Sequence, residues 1–228
     1  MTPEQPDSPI RPNEYRFSYN SFLLMGFIPV VLAVWYCVRH LDTGLALYVK
    51  QHAFGNSAWA RYTSSIPDAL LYISLSVTTL ACAGFWYRAS HARLDATTLT
   101  CKLLACAVPL SYAAKSILKY VFGRINTRVW LIAPHEYGFH WFQGSEQYSG
   151  FPSGHMAVFT ALIAVFWRLH PRLRGVGLAM LLLLAGALIA TNYHFLSDVI
   201  AGTYVGLLAE VLAWHIAGRD RRFQGVSG

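Results

Sequence analysis

The sequence predicts an all-α, polytopic membrane protein: six transmembrane helices in one bundle, with the active site at the outer membrane face. Three observations carry this. Of 228 residues, 55% are hydrophobic and 13% are charged, about half the roughly 25% charge of a soluble domain. The mean hydropathy is +0.37, and six apolar stretches approach the ~20 residues that cross a bilayer. Lysine and arginine alternate in density between successive ends of those stretches, as the positive-inside rule requires.

Residues 1–20 form a polar, Pro-rich N-terminal tail with no apolar run near Met1, so the first span serves as the insertion signal. The spans fall at about 21–38, 68–87, 100–122, 156–167, 175–191 and 199–217. The fourth is short unless Ser153, Gly154 and His155 form its first turn. Together, 21–218 make one membrane domain with no internal repeat, and 219–228 form a C-terminal tail. Asp42 and Asp68 read as ordinary helix-end acids. Two loops share a side: 39–67, with Trp59 and Tyr62, suits an amphipathic segment along the interface, and 124–150 is rich in aromatics. An interfacial aromatic belt explains the second loop; a lid or lipid-chain guide is the other reading.

Arg88, Arg93, Lys102, Arg168, Arg172, Arg174 and the arginines of both tails collect at one set of helix ends, against Arg39, Lys50, Arg61, Arg124 and Arg128 at the other. Both termini are therefore expected in the cytoplasm. The net charge of +7 fits loops facing anionic lipid, and no basic run with interleaved aromatics supports a nucleic-acid partner. Cys37, Cys82, Cys101 and Cys106 show no zinc spacing and read as small packing residues.

With six spans, three polar clusters land on one membrane face. The first is Lys119, Arg124 and Arg128 at the exit of the third span, with Lys115 a weaker candidate. Four cations at an outer helix end run against the positive-inside bias and favour an anionic ligand: arginine grips phosphate oxygens in pairs, and lysine acts as a point charge. The second is Pro152-Ser153-Gly154-His155, a tight turn in which Ser153 caps a helix whose free N–H groups suit an anion. The third is His194 and Asp198, four residues apart and so on one helix face. A carboxylate on one imidazole nitrogen leaves the other available as base or nucleophile. Ser197 reads as leading the sixth helix, Glu210 as a packing or inner-end group, and His140 as a solvated loop residue.

In this order the residues resemble the type 2 phosphatidic acid phosphatase superfamily of membrane lipid phosphatases. Pro152-Ser153-Gly154-His155 matches that family's second motif, His194 to Asp198 resembles the end of its third, and Lys119 to Arg124 is similar to its first. Two positions depart: the third-motif arginine falls on Leu188, and the first-motif Arg-Pro falls on Asn126-Thr127, so Arg124 or Arg128 has to supply that charge. Thr191 and Asn192 stand near enough to offer donors in place of the arginine lost at Leu188.

The resemblance implies phosphoryl transfer through a phosphohistidine. His194 is the nucleophile, oriented by Asp198, and His155 protonates the leaving oxygen. Lys119, Arg124, Arg128, Ser153 and Gly154 bind the phosphate, with no metal and no cofactor. The implied substrate is a phosphorylated lipid: an isoprenoid diphosphate, phosphatidylglycerol phosphate, phosphatidate or lipid A. Transfer of the phosphoryl group to another lipid is the alternative, and a scaffold that has lost catalysis is a third. The implied location is a bacterial inner membrane, and oligomeric state leaves no mark in the sequence.

Overall fold

The computed structural model describes residues 25–52 and 66–218, without the side chains of 66–71 and 218. The expected tails at 1–20 and 219–228 lie outside the described residues, as do Trp59 and Tyr62. What is described is helical, with a single isolated bridge between Arg124 and Phe139 and no strand.

Among the described residues, six long helices form the bundle: α1 (Phe27–His52), α2 (Ile66–Ser90), α3 (Ala96–Phe122), α4 (Gly154–Leu169), α5 (Arg174–Ala190) and α6 (Leu196–Ala213). By length and apolarity, four described segments could cross a membrane: α1, α3, Pro171–Ala190 and Leu196–Ala217. The last two are α5 and α6, each extended by one turn. The fourth expected span, α4, is apolar but has only 16 residues, about 24 Å of helix at 1.5 Å per residue. Leu32, Leu80, Leu182 and Leu183 stand exposed on the outside of the bundle, a surface suited to lipid.

The first span departs from expectation at its C-terminal end. Residues 39–52 do not leave the helix for the interface; α1 continues through a π turn at Cys37–Leu41 into Asp42–His52. The π turn resets the inward face. No residue of Phe27–Tyr36 is buried, but Cys37, Asp42, Ala46 and Val49 all are. Cys37 to Asp42 is a step of five, the π spacing, and the following steps of four and three are those of an α-helix. Without the extra residue the exposed Leu41 would take the inward position.

α3, α4 and α6 pack on one another at the centre, with α2 against α3, α5 against α4 and α1 against α6. The central interface is built from small residues, Ala107, Ala161, Ala209 and Ala213, with Leu99, Leu103 and Val165. Gly202 and Gly206 allow the closest approach: a Cβ on either would collide with a backbone carbonyl of the α4 segment, Ser153 or Ala157 respectively. Small residues four apart are how membrane helices bring their backbones together. At the opposite end of α4 and α6, Arg168 pairs with buried Glu210 through two bonds, so Glu210 is a helix-packing group.

Candidate active site

Helix ends supply most of the site. α3 starts on Asp95, whose carboxylate accepts from Thr98 N–H at 3.0 Å, and stops at Gly123, left-handed at φ 51°. A side chain there would run into the His140 carbonyl, so the glycine lets the chain turn sharply and carry Arg124 inward just after Lys119 leaves the helix end. α4 starts on Ser153, whose hydroxyl accepts from Met156 N–H at 3.4 Å, which places Gly154 and His155 in its first turn. α6 starts with the Asp198 carboxylate accepting from Phe195 N–H at 2.9 Å, which fixes His194 one residue before the cap.

These starts are tied together. Ser153 N–H donates to the Asp198 carbonyl at 3.0 Å, so the Pro-Ser-Gly-His turn and the His-x-x-x-Asp segment are one unit. The rings of His155 and His194 are neighbours, inclined at 64° with centroids 6.3 Å apart, and Tyr193 contacts both rings edge-on at 5.5 and 5.2 Å. Behind His194, Nδ1 stands 3.5 Å from Asp198 Oδ2. This is an ion-pair distance and not a formed hydrogen bond. Burial drives the His194 imidazole below the usual histidine range, opposed by the Asp198 carboxylate and reinforced by the charge of Lys119. Burial thereby favours the neutral form of the ring.

The three cations occupy different settings. Lys119 is half-buried, and its charge acts on both His194 and Asp198. Arg128 reaches the loop just before His194: it donates to the Thr191 carbonyl at 3.0 Å and lies 5.0 Å over the Tyr193 ring. Arg124 has no exposed surface and both of its terminal nitrogens are held by carboxylates, Asp198 Oδ1 at 2.8 Å and Asp42 Oδ2 at 2.7 Å. The rings of Tyr137, Phe139 and Phe195 surround its guanidinium at 5.6, 5.2 and 4.6 Å. The structure thus brings His194, His155, Asp198, Ser153 and Gly154 together with Lys119 and Arg128 beside them, and sets Arg124 behind Asp198.

Two residues matter that sequence reasoning passed over. Asp42 is not a helix-end acid: it sits inside α1, 1% exposed, and accepts from Arg124 and from both the N–H and the hydroxyl of Ser197. Its one sequence signal is isolation, as the sole acid between Glu14 and Asp68. Tyr137 donates to the Val38 carbonyl at 2.7 Å and accepts from Arg124 at 3.1 Å. Much of the aromatic loop therefore turns inward: Trp130 and Tyr137 pack on Phe195, and Phe139 and Trp141 pack on Phe122. His140 is engaged by Glu136 and Tyr148. At the position where an arginine is missing, Leu188 is buried against Met156, Ile163, Leu181 and Val199. The Thr191 hydroxyl is occupied by the Ala187 carbonyl at 2.8 Å.

An apolar helical bundle whose helix starts gather two histidines, a carboxylate and basic side chains is an integral membrane protein with a histidine-based polar site. The chain belongs to the PAP2 superfamily, whose family model matches residues 99–222. It is similar to a lipid A 1-phosphatase of Rhizobium johnstonii, 30% identical over 175 residues, covering 74% of this chain and 64% of that one. The chain thus spans under two thirds of that relative's length. No solved structure matches it.

Proposed function

We propose that this chain is a membrane lipid phosphatase working through a phosphohistidine. The carrying observation is the close pair of His155 and His194, 6.3 Å between ring centroids, with Asp198 behind His194. A phosphoryl group between the rings meets a nucleophile on one side and an acid on the other. The His194 Nε2 lone pair forms the P–N bond as the P–O bond to the lipid breaks, and His155 gives its proton to the departing oxygen. Water then attacks phosphorus, His155 takes the water's proton, and the P–N bond breaks to release inorganic phosphate.

Phosphoryl transfer asks the protein mainly for positioning and charge. Lys119, Arg128, the Ser153 hydroxyl and the Gly154 N–H at the start of α4 supply the charge and donors for the equatorial oxygens. Two arginines of the resembled motifs are absent, at Asn126 and Leu188; Arg128 lies two residues after the first, and its contact with the Thr191 carbonyl, three residues after the second, supports it as a replacement. Arg124 acts through Asp198. No step is routed through a metal.

All six long helices cross the membrane in this reading, 21–218 forming one domain with both tails cytoplasmic and the histidines at the outer face. The short α4 then starts below the interface, which sinks the Ser153–His155 turn to where a lipid headgroup meets its chains. The similarity to a lipid A 1-phosphatase puts lipid A first among the substrates, ahead of isoprenoid diphosphate, phosphatidylglycerol phosphate and phosphatidate. The test is phosphate release by purified protein in detergent with chelator present, each lipid run beside His194→Ala. Release that disappears in the variant supports the reading; absence of release from every lipid, or release that survives His194→Ala, overturns it.

A further inference from the structure

We propose that Asp42 is a positioning residue for this reaction: from the first helix it holds Arg124 and Ser197, and through them it sets the place and charge of Asp198 behind His194. The proposal rests on the phosphohistidine reading above and adds to it a residue that lies outside the segment matched by the family model, 99–222.

The geometry is a closed relay. One guanidinium nitrogen of Arg124 donates to Asp42 and Tyr137, and the other donates to Asp198 and Ser197. Asp42 turns back to Ser197 with both oxygens, accepting its N–H at 3.1 Å and its hydroxyl. Asp42 is thereby fixed to the residue next to Asp198 as well as to the arginine that grips Asp198. The side chains of Asp42, Arg124 and Asp198 have no exposed surface, so these charges act with little screening.

α1 is shaped to deliver this carboxylate. The π turn at Cys37–Leu41 brings Asp42 to the inward face in place of Leu41, and Tyr137 ties that turn to Arg124 through the Val38 carbonyl. π turns inside α-helices recur at functional sites. A helix needed only for anchoring would gain nothing from a lone buried acid here, because ionisable groups at such depth are costly.

The charge count gives Asp42 a chemical consequence. Two carboxylates share one guanidinium, so Arg124 does not claim the whole charge of Asp198. The remainder faces His194, which becomes positive as it attacks phosphorus. The groups acting on that ring are Asp198 beside it, Lys119 from α3, His155 from α4, Tyr193 next in sequence and the Gly150 carbonyl. Removing the charge of Asp42 leaves Arg124 and Asp198 paired one to one. Asp198 then accepts less well from the imidazole, and the surroundings of His194 become more positive.

The test is Asp42→Asn in the full-length protein, with Asp42→Glu as the conservative variant. The Asn side chain keeps the shape and the Arg124–Asp198 pair remains, but its single oxygen replaces two acceptors and its NH2 meets either the Ser197 N–H or Arg124, so thermal unfolding is measured beside activity and some loss of stability is expected. We expect kcat to fall by about 10- to 100-fold, as a misplaced catalytic group does, with KM within about twofold. The acid limb of the pH profile should move to lower pH, and Asp42→Glu should recover part of kcat. His194 titration read by NMR needs no turnover, and its midpoint should fall by roughly 0.5 unit or more, a fraction of the 1–3 units a charge in direct contact exerts. A kcat loss that merely follows loss of folded protein, with both the limb and the NMR midpoint unmoved, overturns the proposal. So does an unchanged kcat in a wild type whose turnover His194→Ala abolishes. A wild type without phosphatase activity overturns the phosphohistidine reading and this catalytic role with it, while the NMR midpoint separately decides whether Asp42 acts on His194.

Discussion

Gly202→Ala tests the contact that seats His155 against His194. The new methyl carbon would lie about 1 Å inside ordinary contact with the Ser153 carbonyl oxygen, and would also press on Met156 Cβ and Ser153 Cβ, both at 3.1 Å. None of these is a flexible side-chain tip. The Ser153 carbonyl accepts from Ala157 N–H at 3.1 Å as the first turn of α4 forms, so relief requires that turn to move away from α6, carrying His155 with it. The expected stability cost is that of overpacking, about 1–3 kcal/mol. The expected kcat loss is about 10²-fold, since a displacement near 1 Å of a reacting group costs that much. Phosphate release by the folded variant, measured beside its thermal unfolding, reads both. Gly186→Ala is the control, because nothing lies within 4 Å of its added carbon and the substitution should raise helix stability by about 0.5–1 kcal/mol. A Gly202→Ala enzyme with kcat within about threefold of wild type would refute the idea that this backbone contact sets the distance between the histidines.

Three further outcomes follow from the same geometry. Arg124→Ala leaves Asp42 and Asp198 as two buried carboxylates without their cation, and should cost about 3–5 kcal/mol in unfolding measurements; Arg128→Ala should unfold like wild type and raise KM instead. His155→Ala should lower kcat by about 10²- to 10⁴-fold, the range for a lost general acid, and an unchanged rate would remove it from the reaction. The lowered His194 value has a definite sign: the nucleophile is neutral above it, so activity is retained as pH falls below the ordinary ~6.5 of histidine and is lost only as pH passes through the depressed value. An acid limb of kcat/KM at or above ~6.5 would contradict the burial of that ring.

The sequence by itself determined the helical membrane class, because apolar run length is a local property. The spacing of His194 and Asp198 marked the pair, but His194 lies before the helix, and the capping turn, in which Asp198 accepts from Phe195 N–H, brings them together rather than a shared helix face. The sequence also determined that Ser153 begins a helix, since a capping hydroxyl acts on backbone within its own turn. What local pattern could not decide was which cation serves which anion. Lys119, Arg124 and Arg128 look equivalent along the chain, yet the left-handed turn at Gly123 sends Arg124 inward between two carboxylates, while Arg128 swings to the Thr191 carbonyl. Asp42 was invisible for the same reason. Its partners, Arg124 and Ser197, lie 82 and 155 residues away, and only the packing of α1 on α6, with a π turn to rotate the acid inward, makes a carboxylate in the middle of α1 part of a buried ion network.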